Sequence, residues 1–275
     1  PVAWRFVVLA ASMAVFSVGL TAVNLHYTTP GPKVAASVGS GIVLALLSCA
    51  VLPQVLARCN LYMFLSTGLY FSLTGALDAF YTAGPGCVAD APHFSMTYYL
   101  TASTLVGSVA GMVGVCVFQS VMREWHFRQL FWSVTILKVG AALVDLFLIL
   151  RWNQRLGLSD KATYMMGHNI AGSFISQLDW MPAVVLTTKL CPKGLEATVY
   201  ALLAGFQNYG AAMATSLGAA VTSAMGVVAK PSENECDFRR LPALVLLCHV
   251  LLPLVVLPLT FVLIPNARLT DRLKV

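Results

Sequence analysis

Apolar stretches long enough to cross a lipid bilayer recur along this chain. A membrane-spanning helix needs about 20 predominantly apolar residues, and several windows approach or exceed that length without Asp, Glu, Lys or Arg: 6–23, 34–57, 94–122, 197–229 and 241–266. Three further windows qualify if isolated ionisable residues are tolerated: 60–81 around Asp78, 129–150 around Lys138 and Asp145, and 162–188 around His168 and Asp179. The pattern predicts eight spanning helices, numbered below from the first segment to the eighth.

The composition agrees with a protein solvated largely by lipid. Hydrophobic residues make up 58% of the 275 residues and charged residues only 10%, which is more apolar surface than a soluble domain of this length can bury. Backbone groups in hydrocarbon must bond one another, which favours helices, and the alternating pattern of a membrane barrel is missing. The fold class predicted is therefore all-α, a polytopic transmembrane helical bundle.

Two loop cysteines are predicted to lie on one side of the membrane. A small excess of loop Lys and Arg on the side of the termini places both termini in the cytoplasm, and the loops that hold Cys87 and Cys236 then share the outer face. These thiols could form a disulfide there; two unpaired thiols are the alternative. Cysteine spacing does not resemble a zinc or haem site, so neither a metal nor a cofactor is predicted.

Small residues line one face of the seventh segment. Ala214, Gly218 and Thr222 recur at four-residue spacing and form a ridge that lets helix backbones approach closely. Such a helix could bend or move, as transporter helices do. Static packing, as in any helical membrane protein, is the alternative interpretation.

Ionisable residues at membrane depth are candidate site residues, because a charge there costs at least about 3 kcal/mol unless it meets a partner or water. In the third segment, steps of four and three place Thr67, Phe71, Thr74, Asp78 and Tyr81 on one helical face. A stripe of aromatic and hydroxyl groups that leads to a carboxylate predicts the wall of a cavity. The alternative is a lipid-facing helix whose Asp78 reaches the nearby surface.

Lys138 and Asp145 share one face of the fifth segment. They are seven residues apart, about 10 Å along a helix, so each is expected to find its partner on another helix or in water. Lys138 is the candidate cation for an anionic substrate. A buried network that holds the fifth segment to its neighbours is the alternative.

The sixth segment is the most polar of the eight. His168 and Asp179 lie three turns apart on a shared face, with Asn169, Ser173 and Gln177 on an adjacent one. A carboxylate and an imidazole on one wall could relay a proton, because histidine titrates near neutral pH. A hydrogen-bonding core histidine is the alternative.

Several function classes are disfavoured. The sequence shows no nucleophilic triad, phosphate-binding glycine loop or metal-binding helix motif, so the chain is predicted not to be an enzyme. Its basic residues are scattered among loops without interleaved aromatics, which argues against nucleic-acid binding.

A family resemblance rests on the segment CPKGLEATVYALLAGFQNYG at 191–210, with the preceding WMPAVVLTTKL and the upstream RWNQRLGLSDK. These sequence segments resemble the folate–biopterin transporters of the major facilitator superfamily, particularly the kinetoplastid branch. The resemblance implies a twelve-helix, alternating-access carrier of folate, biopterin or related pterins, with proton coupling and a plasma-membrane location. It also implies that the chain is a fragment, in which 1–58 holds the last two helices of the N-terminal half and 59–275 the C-terminal six-helix half.

The resemblance also suggests roles for individual residues. A pterin edge offers adjacent donors that a carboxylate can accept in a fork, and its ring can stack on an aromatic side chain. Candidates for these contacts are Asp78, Asp145, Asp179 and Phe71, with Tyr70, Trp180 and Phe206 as further stacking groups. The glutamate tail of folate would bind Lys138.

Four polar residues fall within the resembling segment itself. Gln207 and Asn208 could bond polar ring edges or clamp two helices together, and Lys193 and Glu196 at the cytoplasmic elbow are expected to be gating or structural residues. Alternative functions are transport of another metabolite, such as S-adenosylmethionine, or a truncated, non-transporting membrane protein such as a receptor.

Overall fold

Long helices dominate the computed structural model, which describes residues 3–191, 194, 196–230 and 235–271. The helices are α1 (Ala3–His26), α2 (Pro30–Val51), α3 (Gln54–Gly68), α4 (Thr74–Thr82), α5 (Thr97–Met122), α6 (Phe127–Ile149), α7 (Trp152–Arg155), α8 (160–190), α9 (Glu196–Ala224) and α10 (Leu241–Leu263). Strands β1 (Val228–Lys230) and β2 (Glu235–Asp237) pair antiparallel between α9 and α10. The predicted all-α bundle is confirmed, with this short hairpin added.

Five of these helices are long and apolar enough to span a membrane by length and composition, among the residues described: α1, α2, α5, α6 and α10. The other predicted segments differ for visible reasons. Residues 60–81 are divided between two shorter helices, and α8 and α9 carry more polar and small residues. The count of eight spans therefore stays a prediction.

The third segment is not a continuous helix, so the single helical face predicted for it is wrong. Helix α3 ends at Gly68 and α4 begins at Thr74. Neighbouring helices bond the main-chain groups that the break releases: the Ser72 N–H donates to the Ala214 carbonyl, and His249 Nε2 donates to the Phe71 carbonyl at 2.9 Å. These partners lie far away in sequence, so local periodicity could not reveal the break.

Other helix ends also differ from the predicted windows. Pro53 follows α2 and removes a backbone donor, so the second segment ends at Val51 rather than at residue 57. Helix α9 ends at Ala224, just before Gly226, whose positive φ of 69° turns the chain into the hairpin.

The predicted ridge on α9 packs where backbones come close together. A Cβ atom at Gly218 would lie 2.1 Å from the Ser72 carbonyl oxygen, and one at Gly210 would lie 2.9 Å from that of Phe64. Glycine is therefore required for α9 to contact both α3 and the break that follows it. A similar contact on α5, where a Cβ at Gly114 would lie 2.8 Å from the Phe174 carbonyl, brings α5 against α8.

Cys87 and Cys236 form a disulfide, with their Cα atoms 5.4 Å apart. The bond joins the loop after α4 to strand β2. It thereby holds together two connections at the same end of the bundle, beside a buried apolar cluster that includes Phe80, Phe238 and Leu241.

Candidate functional site

A cavity of about 900 Å³ opens between α4, α5, α6 and α8. Its charged and titratable lining groups are Asp78 from α4, Asp145 from α6 and His168 from α8. Amide and hydroxyl groups of α5 and α8 supply further polar surface: Ser103, Thr104, Ser108, Asn169, Ser173, Ser176 and Gln177. This volume falls within the usual range for small-molecule sites.

Asp145 and His168 pair across the α6–α8 interface. His168 Nδ1 lies 2.9 Å from Asp145 Oδ1 and 3.0 Å from Oδ2, and the Tyr81 hydroxyl donates to Oδ1 at 3.4 Å. Asp145 is buried, with only 7% of its surface exposed. A buried carboxylate needs such partners to remain ionised. The expected partner on another helix is thus present, and the pair faces the cavity.

The second carboxylate of the cavity belongs to Asp78, which is half-buried. Its Oδ1 accepts the Tyr99 hydroxyl at 2.5 Å, which ties α4 to α5. Asp78 lines the cavity instead of facing lipid, so the geometry favours the cavity-wall interpretation over the lipid-facing one.

Aromatic rings surround the two carboxylates. Tyr164 stacks on the His168 imidazole with ring centroids 5.0 Å apart and planes inclined by 17°. Tyr81 meets Tyr164 edge-on at 5.2 Å, and Tyr99 lies 5.6 Å from the same ring. The rings hold the imidazole in one orientation and give the cavity a flat apolar surface beside its polar groups.

Residues of this site lie in π-helical turns. Tyr99 belongs to the π segment Thr97–Ala102 of α5, and both Tyr164 and His168 belong to Tyr164–Ala171 of α8. A π turn adds one residue to the helix and is frequent at functional sites.

Small residues and one unpaired amide shape the wall formed by α5 and α8. A Cβ at Gly107 would lie 2.7 Å from Ser173 Oγ and 2.9 Å from Asn169 Oδ1. That Asn169 oxygen is buried and lacks a hydrogen-bond partner within the described part of the chain.

A smaller cavity of about 290 Å³ lies beside the first and contains an ion pair. Lys138 Nζ lies 2.6 Å from Asp179 Oδ2, again joining α6 to α8, with side-chain exposures of 24% and 43%. Hydroxyl groups from three elements complete the polar lining: Ser66, Thr67, Ser72 and Thr215. Lys138 is therefore already partnered, as expected, by a carboxylate on another helix.

Other predicted site residues lie outside these two cavities. Phe71 packs between the buried clusters, and its carbonyl accepts a hydrogen bond from His249. Gln207 and Asn208 lie on α9; Gln207 shares a helical face with Ala211 and Thr215 of the smaller cavity. Glu196 at the elbow lines neither cavity and accepts the Gly194 N–H at 2.8 Å. Lys193 lies outside the described residues.

Sequence reasoning missed Tyr99 and Tyr164 as residues that line the large cavity. One signal was available on α5, where a residue lining the cavity recurs every four positions: Tyr99, Ser103, Gly107 and Gly111. A polar and small stripe at that spacing in an apolar helix indicates a face turned away from lipid.

Comparison with known proteins identifies the family of this chain. The BT1 family matches residues 32–275. The probable folate-biopterin transporter 6 of Arabidopsis thaliana is 31% identical over 192 residues, which cover 70% of this chain and 36% of that protein. The folate-biopterin transporter of Synechocystis is 33% identical over 152 residues, which cover 54% and 29%.

More distant relatives include the folate transporter 2 of Plasmodium falciparum, 23% identical over 213 residues that cover 77% of this chain and 43% of that protein. The chain thus spans less than half the length of each of these relatives. No solved structure matches it. Because the family match extends over most of the sequence and the bundle carries several membrane-length helices, the chain is that of an integral membrane protein and belongs to the BT1 family.

Proposed function

We propose that the protein carries folate, biopterin or a related pterin across a membrane by alternating access, with coupled proton movement. The observation that carries the proposal is the large cavity, where two carboxylates and an imidazole meet within the bundle. Family relatives whose names specify folate or folate-biopterin transport support this cargo class. The proposal involves no chemical change to the cargo and places the protein in the plasma membrane.

The pterin ring is assigned to the large cavity. A pterin edge presents adjacent N–H donors, which Asp78 can accept in a fork. The rings of Tyr99 and Tyr164 supply flat surfaces for stacking.

The glutamate tail of folate is assigned to the smaller cavity, where Lys138 supplies the cation. Because Asp179 already neutralises that ammonium group at 2.6 Å, an incoming carboxylate must compete with Asp179.

The pair formed by Asp145 and His168 is assigned to proton transfer. Histidine is the side chain that ordinarily changes charge near neutral pH. The His168 imidazole is hydrogen-bonded to the buried Asp145 carboxylate at the cavity wall. A proton taken up by the pair would alter the charge that faces the cargo. In this scheme residues 1–58 and 59–275 belong to two halves that move relative to each other.

Charge in the large cavity supports a second cargo class. The lining holds two aspartates, Asp78 and Asp145, while Lys138 lines the neighbouring cavity. Such a lining also suits a cationic metabolite that has a flat base, such as S-adenosylmethionine. Competition between labelled folate and the unlabelled sulfonium compound separates the two cargoes.

The test is uptake of labelled folate and biopterin by cells that produce the complete protein. Asp145→Asn and Asp179→Asn should each reduce uptake at least tenfold and change its pH dependence. Asp90→Asn, an equally small change in the loop after α4, serves as the matched control and should leave uptake near the wild-type rate. Unchanged uptake in both site variants would show that the assigned site is wrong.

A further inference from the structure

Tyr70 occupies the boundary between the two cavities. Of the described residues, it alone lines both of them. It lies in the break between α3 and α4, where the main chain is free of regular helical bonding. The ring is therefore a shared wall of the two cavities.

Two contacts hold the Tyr70 ring. The His249 imidazole stacks on it with centroids 4.5 Å apart and planes only 5° from parallel. The Lys138 ammonium group lies 5.4 Å from the centroid of the same ring. Lys138 also binds Asp179 and is assigned to the cargo, which leaves His249 as the contact that does not depend on the cargo.

His249 is built into the fold at this point. It is buried, with 6% of its surface exposed, and lies in the π segment Leu246–Leu251 of α10. Its Nε2 donates to the Phe71 carbonyl at 2.9 Å, so one side chain both bonds the main chain of the break and stacks on the ring next to it. A buried imidazole with two such contacts fixes the rotamer of Tyr70.

We infer that His249 is a positioning residue for transport, acting through Tyr70 to keep the two cavities separate and correctly aligned. The inference rests on the proposed function and extends it to a helix, α10, that supplies neither carboxylate. In this inference Tyr70 contacts folate where its pterin ring joins its glutamate tail. Loss of the stack should therefore affect folate more than biopterin, which lacks the tail.

The first test separates binding from turnover. His249→Ala should raise the KM for folate about tenfold, while the maximal rate changes less than threefold. The reason is that the stacking contact stabilises the bound state and the transport transition state equally, so its loss weakens binding without slowing turnover. His249→Phe keeps a stacking ring and should recover most of the affinity. His93→Ala is the control, since His93 also bonds a main-chain carbonyl, that of Ala83, but lines neither cavity.

A double-mutant cycle tests whether His249 acts through Tyr70. If it does, Tyr70→Ala combined with His249→Ala should be no worse than Tyr70→Ala alone, whereas independent roles would multiply the two effects. Multiplied effects, or a folate KM unchanged in His249→Ala, would overturn the inference.

A measurement without cargo keeps the inference testable if pterin transport itself fails. A cysteine is placed at Thr67 in the smaller cavity, with the free cysteines 49, 59, 116, 191 and 248 replaced by serine. The rate at which a water-soluble thiol reagent labels this cysteine should rise several-fold when His249→Ala is added. Adding Tyr70→Ala to that variant should not raise the labelling rate further. An unchanged rate would refute the positioning role, whereas absent uptake with a changed rate would refute only the proposed cargo.

Discussion

Lys138 of α6 and Asp179 of α8 form an ion pair with an N–O distance of 2.6 Å inside the bundle. Two ion pairs join these helices: Lys138 pairs with Asp179, and Asp145 pairs with His168 about two helical turns further along α6. The two pairs join the same helices but line different cavities. Because the carboxylate–histidine pair and the lysine lie in different cavities, the pterin ring and the glutamate tail of folate are assigned to separate cavities.

Removing one partner of the Lys138–Asp179 pair should destabilise the protein more than removing both. Lys138→Met or Asp179→Leu leaves one charge unpaired at membrane depth, whereas the double variant leaves none. We expect each single variant to unfold at a lower temperature than the double variant, measured on protein purified in detergent. Uptake should be lost in all three variants. Lys138 is missing in two of them, and in Asp179→Leu it has lost the carboxylate that pairs with it. A double variant less stable than both single variants would contradict the pairing.

His168→Gln should flatten the dependence of uptake on pH near neutrality. Glutamine retains a polar contact with Asp145 but cannot change charge, whereas an unperturbed imidazole changes charge near neutral pH. Uptake is measured at a series of external pH values. The control is His26→Gln at the exposed end of α1, which should keep the wild-type profile. A wild-type profile in His168→Gln would exclude this imidazole from coupling.

Gly218→Ala should destabilise the bundle by about 1–3 kcal/mol, the usual cost of overpacking. The added Cβ would lie 2.1 Å from the Ser72 carbonyl oxygen, a main-chain atom that cannot move without displacing the α3–α4 break. Gly140→Ala is the matched control on α6, where the added Cβ meets nothing within 4 Å, and its stability should stay level or rise because alanine favours helices. Thermal unfolding compares the two; equal transition temperatures would contradict the close contact.

Cys87 and Cys236 should resist labelling by a polymer-linked maleimide until the denatured protein is reduced. The gel shift of the unreduced protein then reports only the five free cysteines. Cys87→Ser, Cys236→Ser and the double variant should lose equal thermal stability, because each removes the same cross-link between two loops. Cys49→Ser, at an exposed position of α2, should lose none. Labelling of all seven thiols before reduction would contradict the bond.

Much of the fold follows from local sequence. Long apolar runs predicted α1, α2, α5, α6 and α10, because lipid solvation requires continuous hydrophobic helices. The break at 69–73 was not predictable, since its main-chain groups bond Ala214 and His249 from distant helices.

The candidate site was partly predictable for a related reason. Asp78, Asp145 and His168 stand out because an ionisable group within an apolar segment costs free energy to place in the membrane. All three line the large cavity. Tyr99 does not stand out in this way, because tyrosine is common in membrane helices. Tyr70 was predicted only as a stacking group, and its position between the two cavities depends on tertiary contacts.

The sequence by itself determined that this is a helical membrane protein with several isolated charges inside its spans, because the cost of burying charge and backbone in lipid acts on each segment separately. Tertiary structure alone decided which charges pair, where the third segment breaks, and that Tyr70 stands between two cavities. Those outcomes depend on distances between helices, which are set by close backbone contacts such as that of Gly218 with Ser72.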